Sequence, residues 1–171
     1  MRTGRPEHLK SFDYVGFYRY FLTFCTFERQ HHFLRQEHVD LVRTQFLRAA
    51  MDTAFAVLAY CFMPDHVHLL IQGDSEDANC RAFIRRSKQF SGFHYKKAFG
   101  KTLWQRYGYE RTLRSDEATL SVARYIVENP LRAGLVRSVE DCPFLGSDVY
   151  RVSEILEAVR LKPDTTTCWS A

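Results

Sequence analysis

The segment Phe62-Met63-Pro64-Asp65-His66-Val67-His68-Leu69-Leu70-Ile71 constrains this chain more than any other. Proline has no place inside a central ladder, so residues 63–65 read as a turn. The apolar run 55–62 before it and residues 66–72 after it then pair as a hairpin. Side chains two apart on a strand share a face. Val67, Leu69 and Ile71 therefore point together toward packed helices. His66 and His68 point the other way, side by side on the open face of the sheet.

The remaining pattern surrounds this hairpin with alternating elements. Residues 17–27 are aromatic and β-branched enough for a strand. Val39, Val42, Phe46, Ala49 and Ala50 recur at helical spacing within 36–52. A long helix is expected over 77–99, with Phe83, Ser87, Phe90 and His94 along one side, and a short strand near the end of 103–114. Ser115-Asp116-Glu117 supplies an N-cap and first-turn acids for a helix running toward Asn129-Pro130. A last helix is expected over 153–161. The order predicts an α+β fold: a ferredoxin-like βαββαβ antiparallel sheet with helices on one face, plus a C-terminal tyrosine-bearing helix. The expected organisation is a flexible arm over 1–13, one catalytic domain over 14–150, and a C-terminal helix and tail over 151–171.

Composition narrows the class. The 171 residues suit one domain, and 14 Phe with 9 Tyr exclude global disorder. The longest apolar run, 54–63, is half the roughly 20 residues that a membrane span needs. The five cysteines are odd in number and form no C-x-x-C pair, which points to a reduced, cytoplasmic setting.

Neutral imidazole is a common metal ligand, and two on one rigid strand are pre-placed for one ion. The alternatives are a pair of ordinary surface histidines, or a zinc site completed by Cys61 or Cys80. Tyr125 and Asn129, four apart on the following helix, are neighbours on one face. Leu120, Ala123 and Val127 turn toward the core, leaving Tyr125 partly exposed. Its hydroxyl is either an accepted kind of covalent nucleophile or the polar tip of an amphipathic aromatic. Asn129 precedes Pro130 and so reads either as an N-cap or as a third ligand through its amide oxygen.

The charge is concentrated. From Arg81 to Arg114 there are ten cations and one acid, Glu110, a balance of +9 within a chain total of +4. Arg81, Arg85, Arg86, Lys88, Lys96, Lys97 and Arg106 interleave with aromatics including Trp104, Tyr107 and Tyr109. Cations that track phosphates beside faces that stack on bases suit single-stranded nucleic acid. A solvated helix face with core aromatics is the competing reading.

Taken in order, M-P-D-H-V-H-L-L-I, L-W-Q, R-x-L-R-S-D-E and R-Y-I-V-E-N-P-L-R-A-G-L-V resemble the single-tyrosine transposases of the His-hydrophobic-His superfamily, and among them the REP-associated tyrosine transposases. The resemblance covers roughly residues 14–150. It implies that His66 and His68 hold Mg²⁺ or Mn²⁺ against a scissile phosphate. It implies that Tyr125 forms a 5′-phosphotyrosine and that Asn129 stands where relatives commonly place Gln as third ligand. It further implies a single-stranded DNA substrate carrying a hairpin and a monomeric enzyme, with a homodimer as the other arrangement. Two other functions remain open on the residues alone: a non-catalytic nucleic-acid binding module of the same fold, and a metal-dependent hydrolase in which Tyr125 only orients water.

Overall fold

The computed structural model describes residues 13–113 and 118–158. All but Asp13 of the arm expected over 1–13, the Ser115 cap and the tail from 159 lie outside the described residues. The elements are β1 (Arg19–Cys25), α1 (Gln36–Thr53), β2 (Phe55–Met63), β3 (His66–Gly73), α2 (Cys80–Phe99) and β4 (Tyr109–Thr112). They continue with α3 (Thr119–Val127), α4 (Asn129–Arg132), β5 (Leu145–Gly146) and α5 (Val152–Glu157). The expected order of strand, helix, hairpin, helix, strand and helix is present.

The sheet runs β4-β1-β3-β2-β5, and every pairing is antiparallel. β3 is central, with Val67 opposite Phe24 and Phe62, and His68 opposite Thr23 and Cys61. Local chemistry sets the helix limits. α2 begins at Cys80 rather than 77 because Asn79 Oδ1 accepts from the Ala82 amide at 3.0 Å. It ends at Gly100, whose φ of 69° suits the left-handed cap.

Both faces of the sheet are covered. Tyr20, Leu22, Phe24, Val67, Leu69 and Ile71 pack on one side with Val42, Phe46, Phe83 and Tyr95 of α1 and α2. Phe21, Ala59, Cys61 and Leu70 pack on the other with Val122, Ile126 and Val127 of α3 and Ile155 of α5. Burying such a side chain stabilises by roughly 1.5–3 kcal/mol. The sequence reading expects an open histidine face; the structure instead covers that face with α3 and α5. Leu70, two residues after His68, lies fully buried in the α3 core, and the imidazoles occupy the turn end of β3 beyond it. The buried stripe of α2 is Phe83, Ser87, Ser91 and Tyr95, while Phe90 and His94 are half-buried. A bulge between Val57 and Ala59 puts Leu58 and Ala59 in the same core, which lets β2 serve both layers.

Candidate active site

The central strand delivers the two imidazoles as a converging pair. His66 Nε2 and His68 Nε2 stand 3.2 Å apart, and the rings are nearly perpendicular at 80°. Each ring is held from behind. His66 Nδ1 is 2.6 Å from Asp65 Oδ1, and His68 Nδ1 is 2.8 Å from Thr23 Oγ1 on β1. A ring that donates its Nδ1 proton to such a partner directs the Nε2 lone pair forward. Two lone pairs facing each other this closely repel unless a proton or a cation stands between them. Nitrogens bound at about 2.1 Å and a right angle to one ion lie about 3 Å apart, so the spacing fits a shared divalent ion.

The electrostatics favour a neutral His68. Burial, with the charges of His66 and Arg29 adding, lowers the His68 pKa to about 4. Burial alone would raise the Asp65 pKa, but the hydrogen bond from His66 and the Arg29 guanidinium 2.9 Å away bring it below the ordinary value. Because the folded-state pKa of His68 lies below its unfolded value of 6.5, the unfolded chain takes up a proton first as pH falls. The associated stability is complete above pH 6.5 and lost as pH drops toward 4. Metal-free protein is expected to lose up to about 3 kcal/mol across this window through His68, and urea unfolding of His68→Gln should lack that component.

Tyr125 lies on α3 with its ring half-exposed, as its helical position predicts. One aromatic ring connects it to the histidines. Phe21 stacks on His68 at 5.4 Å between centroids and meets Tyr125 edge-on at 6.3 Å. Phe21, Arg111, Ser121, Val122 and Tyr125 line a cleft of about 400 Å³. The Arg132 guanidinium lies 4.6 Å from the Tyr125 ring centroid, and Glu128 holds both Arg124 and Arg132. Asn129 is not an N-cap: Glu128 occupies that position without a side-chain bond. Instead, Asn129 Nδ2 donates to the Tyr125 and Ile126 carbonyls at 2.8 and 3.2 Å, closing the end of α3. Its amide oxygen is the atom it has left to offer a ligand.

Among the described residues no group of three or more His, Cys, Asp and Glu side chains is arranged to hold a metal. Cys61 is buried, its thiol is pushed up by desolvation, and it faces the Met63 sulfur. Cys80 belongs to the core on the opposite face of the sheet. Neither completes a zinc site.

The cationic residues separate into two groups. Arg81, Arg85, Lys96 and Lys97 are exposed on α2, across the sheet from the histidines, and Arg106 is exposed before β4. Arg86 pairs with Asp52 at 3.4 Å. Lys88 and Trp104 serve the fold rather than a free surface. Lys88 Nζ donates to the Gln105 and Arg106 carbonyls, and burial lowers its pKa to about 8. Trp104 packs against Phe24, Phe33 and Phe46, and its Nε1 donates to Ser91 Oγ at 2.8 Å. Its ring is spent on the core and is no stacking platform. The exposed aromatics of the segment are Phe93, Tyr107 and Tyr109.

Sequence reasoning passed over Asp65, Thr23, Phe21 and Arg29. Asp65 was accessible as the neighbour of His66; Thr23 and Phe21 needed the β1–β3 register, which pairs them with His68 and Leu70.

Residues 15–129 match the family described as transposase, IS200 like. The chain belongs to that family: it is a DNA transposase on an antiparallel α+β sheet. More particularly, its relatives are REP-associated tyrosine transposases. The one from Escherichia coli is 29% identical over 122 residues, 65% of this chain and 70% of its own. A protein so designated in Haemophilus influenzae is 27% identical over 137 residues, 73% and 77% of the two chains. A solved structure of a REP-associated tyrosine transposase bound to a REP hairpin superposes with a TM-score of 0.67 at 23% identity, over 81% of each chain. A transposase structure from Deinococcus radiodurans gives 0.50 at 23% identity, over 82% of this chain and 97% of the other. These two likenesses are of fold. Among the described residues no helix is long and apolar enough to cross a membrane.

Proposed function

We propose that the protein cleaves and rejoins single-stranded DNA carrying hairpin-forming repeats through a covalent 5′-phosphotyrosine on Tyr125, with Mg²⁺ or Mn²⁺ held by His66 and His68. The observation that carries this reading is the convergence of the two Nε2 atoms at 3.2 Å, one aromatic ring away from Tyr125. The relative solved with a REP hairpin supports the substrate class.

His66 and His68 would hold the divalent ion, which when bound would supply Lewis acidity to the phosphoryl oxygens. Asp65 and Thr23 keep both imidazoles oriented for that ion. Tyr125 Oη attacks phosphorus; the Oη–P bond forms as the P–O3′ bond breaks. The phenolic proton leaves to solvent, and the departing 3′ oxygen takes one up. Attack by a 3′-hydroxyl on the phosphotyrosine reverses the step and joins strands, so no nucleotide is consumed. Asn129, tethered to the Tyr125 carbonyl, offers its amide oxygen as a third ligand on the same helix end. The exposed cations Arg81, Arg85, Lys96, Lys97 and Arg106 bind DNA phosphates.

An end-labelled hairpin oligonucleotide with a single-stranded flank should become protein-linked in Mg²⁺ or Mn²⁺, and EDTA should abolish the adduct. Cleavage that releases both products without a protein-linked strand would favour water as the nucleophile and contradict the reading.

A further inference from the structure

After β1 the chain turns through two consecutive non-glycine residues in the left-handed region, Glu28 at φ 51° and Arg29 at φ 56°. Such geometry is unfavourable for side chains other than glycine and persists where the surroundings over-determine it. What the turn delivers is the Arg29 guanidinium. Its Nε lies 2.9 Å from Asp65 Oδ2, and Nη1 donates to the Cys25 sulfur. The other oxygen of Asp65 accepts from His66 Nδ1, and Cys25 faces His66 across the β1–β3 ladder. The guanidinium is therefore tied to the carboxylate behind His66 and to the residue beside it.

We propose that Arg29 is a positioning residue of the His66–His68 centre: it fixes the Asp65 carboxylate and, through it, the orientation of the His66 imidazole toward a divalent ion. The inference rests on the metal reading given under the proposed function. An Asp65 carboxylate held at both oxygens has one orientation, and so does the imidazole that donates to it. Such outer partners typically tune metal affinity 10–100-fold.

The backbone does not need the Arg29 side chain. The Thr26 amide and hydroxyl both donate to the Asp65 carbonyl, at 3.0 and 2.9 Å, and the Phe33 amide donates to the Pro64 carbonyl at 3.1 Å. These bonds fasten the segment to the Pro64–Asp65 turn. Arg29→Gly is accordingly an informative variant. Glycine adopts φ 56° without steric cost, so the side chain is lost while the turn is relaxed.

The test is Mn²⁺ binding by the full chain, read from the electron paramagnetic resonance signal of free Mn²⁺, with urea unfolding alongside. Arg29→Gly should weaken Mn²⁺ binding about 10–100-fold while keeping wild-type stability or better. Arg29→Lys should restore part of the affinity, since a point charge reaches Asp65 without the fork that also spans Cys25. Asp65→Ala should lose affinity similarly, and the double variant should bind no worse than Asp65→Ala alone. Wild-type affinity in Arg29→Gly, or losses that multiply in the double variant, would overturn the proposal. Wild-type protein that binds no Mn²⁺ would instead overturn the metal reading itself.

Discussion

Tyr125→Phe is expected to abolish the covalent DNA adduct, a loss of more than about 10³-fold, while leaving hairpin binding and stability nearly unchanged. The ring keeps its contacts with Phe21 and the Arg132 guanidinium, because neither uses the hydroxyl. The position is half-exposed, so removing one oxygen should change stability by no more than about 0.5 kcal/mol. Adduct yield on a labelled hairpin, gel-shift affinity and a urea melt measure the three quantities. Residual adduct at wild-type yield would assign the nucleophile to another residue.

The second large effect concerns the imidazoles. His66→Ala and His68→Ala should each reduce adduct formation at least about 100-fold. Excess Mn²⁺ should not restore either, because one ring cannot supply the converging pair. Hairpin affinity should hold within about threefold, because the exposed cations on α2 lie across the sheet. The two variants should differ in their effect on the fold. His66→Ala leaves Asp65 still bound to Arg29, whereas His68→Ala removes the partner of Thr23 and the ring stacked on Phe21. His68→Ala should therefore also perturb the Tyr125 cleft, which a change in Tyr fluorescence or in reactivity of the phenol would register. Equal loss of DNA binding and cleavage in both variants would argue that the histidines serve the fold or the DNA surface rather than the chemistry.

Much of this arrangement was legible because it depends on local period and punctuation. Pro64 fixed the hairpin, and the alternation after it separated Val67, Leu69 and Ile71 from the histidines, as the two cores show. Tyr125 and Asn129 are four apart across the junction of α3 and α4, and the Asn129 bond to the Tyr125 carbonyl follows from that spacing. What could not be read depends on partners distant in sequence. The histidine face looked open because nothing local announces that Val122 and Ile126 of α3 will cover Leu70. Trp104 reads as a stacking candidate because it sits with Tyr107 and Tyr109 near a glycine in the basic segment. Only the fold brings Ser91 to its Nε1 and Phe24, Phe33 and Phe46 to its ring. Lys88 looked like a phosphate contact for the same reason, yet its ammonium satisfies two backbone carbonyls of the loop before β4. The left-handed turn at Glu28 and Arg29 carries no glycine to signal it, so Arg29 stayed hidden until the turn was seen against Asp65.

These placements also separate two tasks within a small domain. The strand ends near the Pro64 turn and the α3 helix gather the groups suited to phosphoryl chemistry. The exposed cations of α2, Arg81, Arg85, Lys96 and Lys97, lie on the layer across the sheet from the imidazoles. Substitution of Lys96 and Lys97 should therefore weaken DNA binding and its salt dependence without altering the metal requirement. Substitution around His66 should do the reverse.

The measurement closest to the central claim is peptide mapping of the adduct. Protein linked to a 3′-labelled cleavage product would be digested with trypsin and the labelled peptide identified by mass spectrometry. A single labelled peptide is expected, Tyr125-Ile126-Val127-Glu128-Asn129-Pro130-Leu131-Arg132, with the phosphodiester on the Tyr125 oxygen. Label on Tyr107, Tyr109 or any other side chain would contradict it.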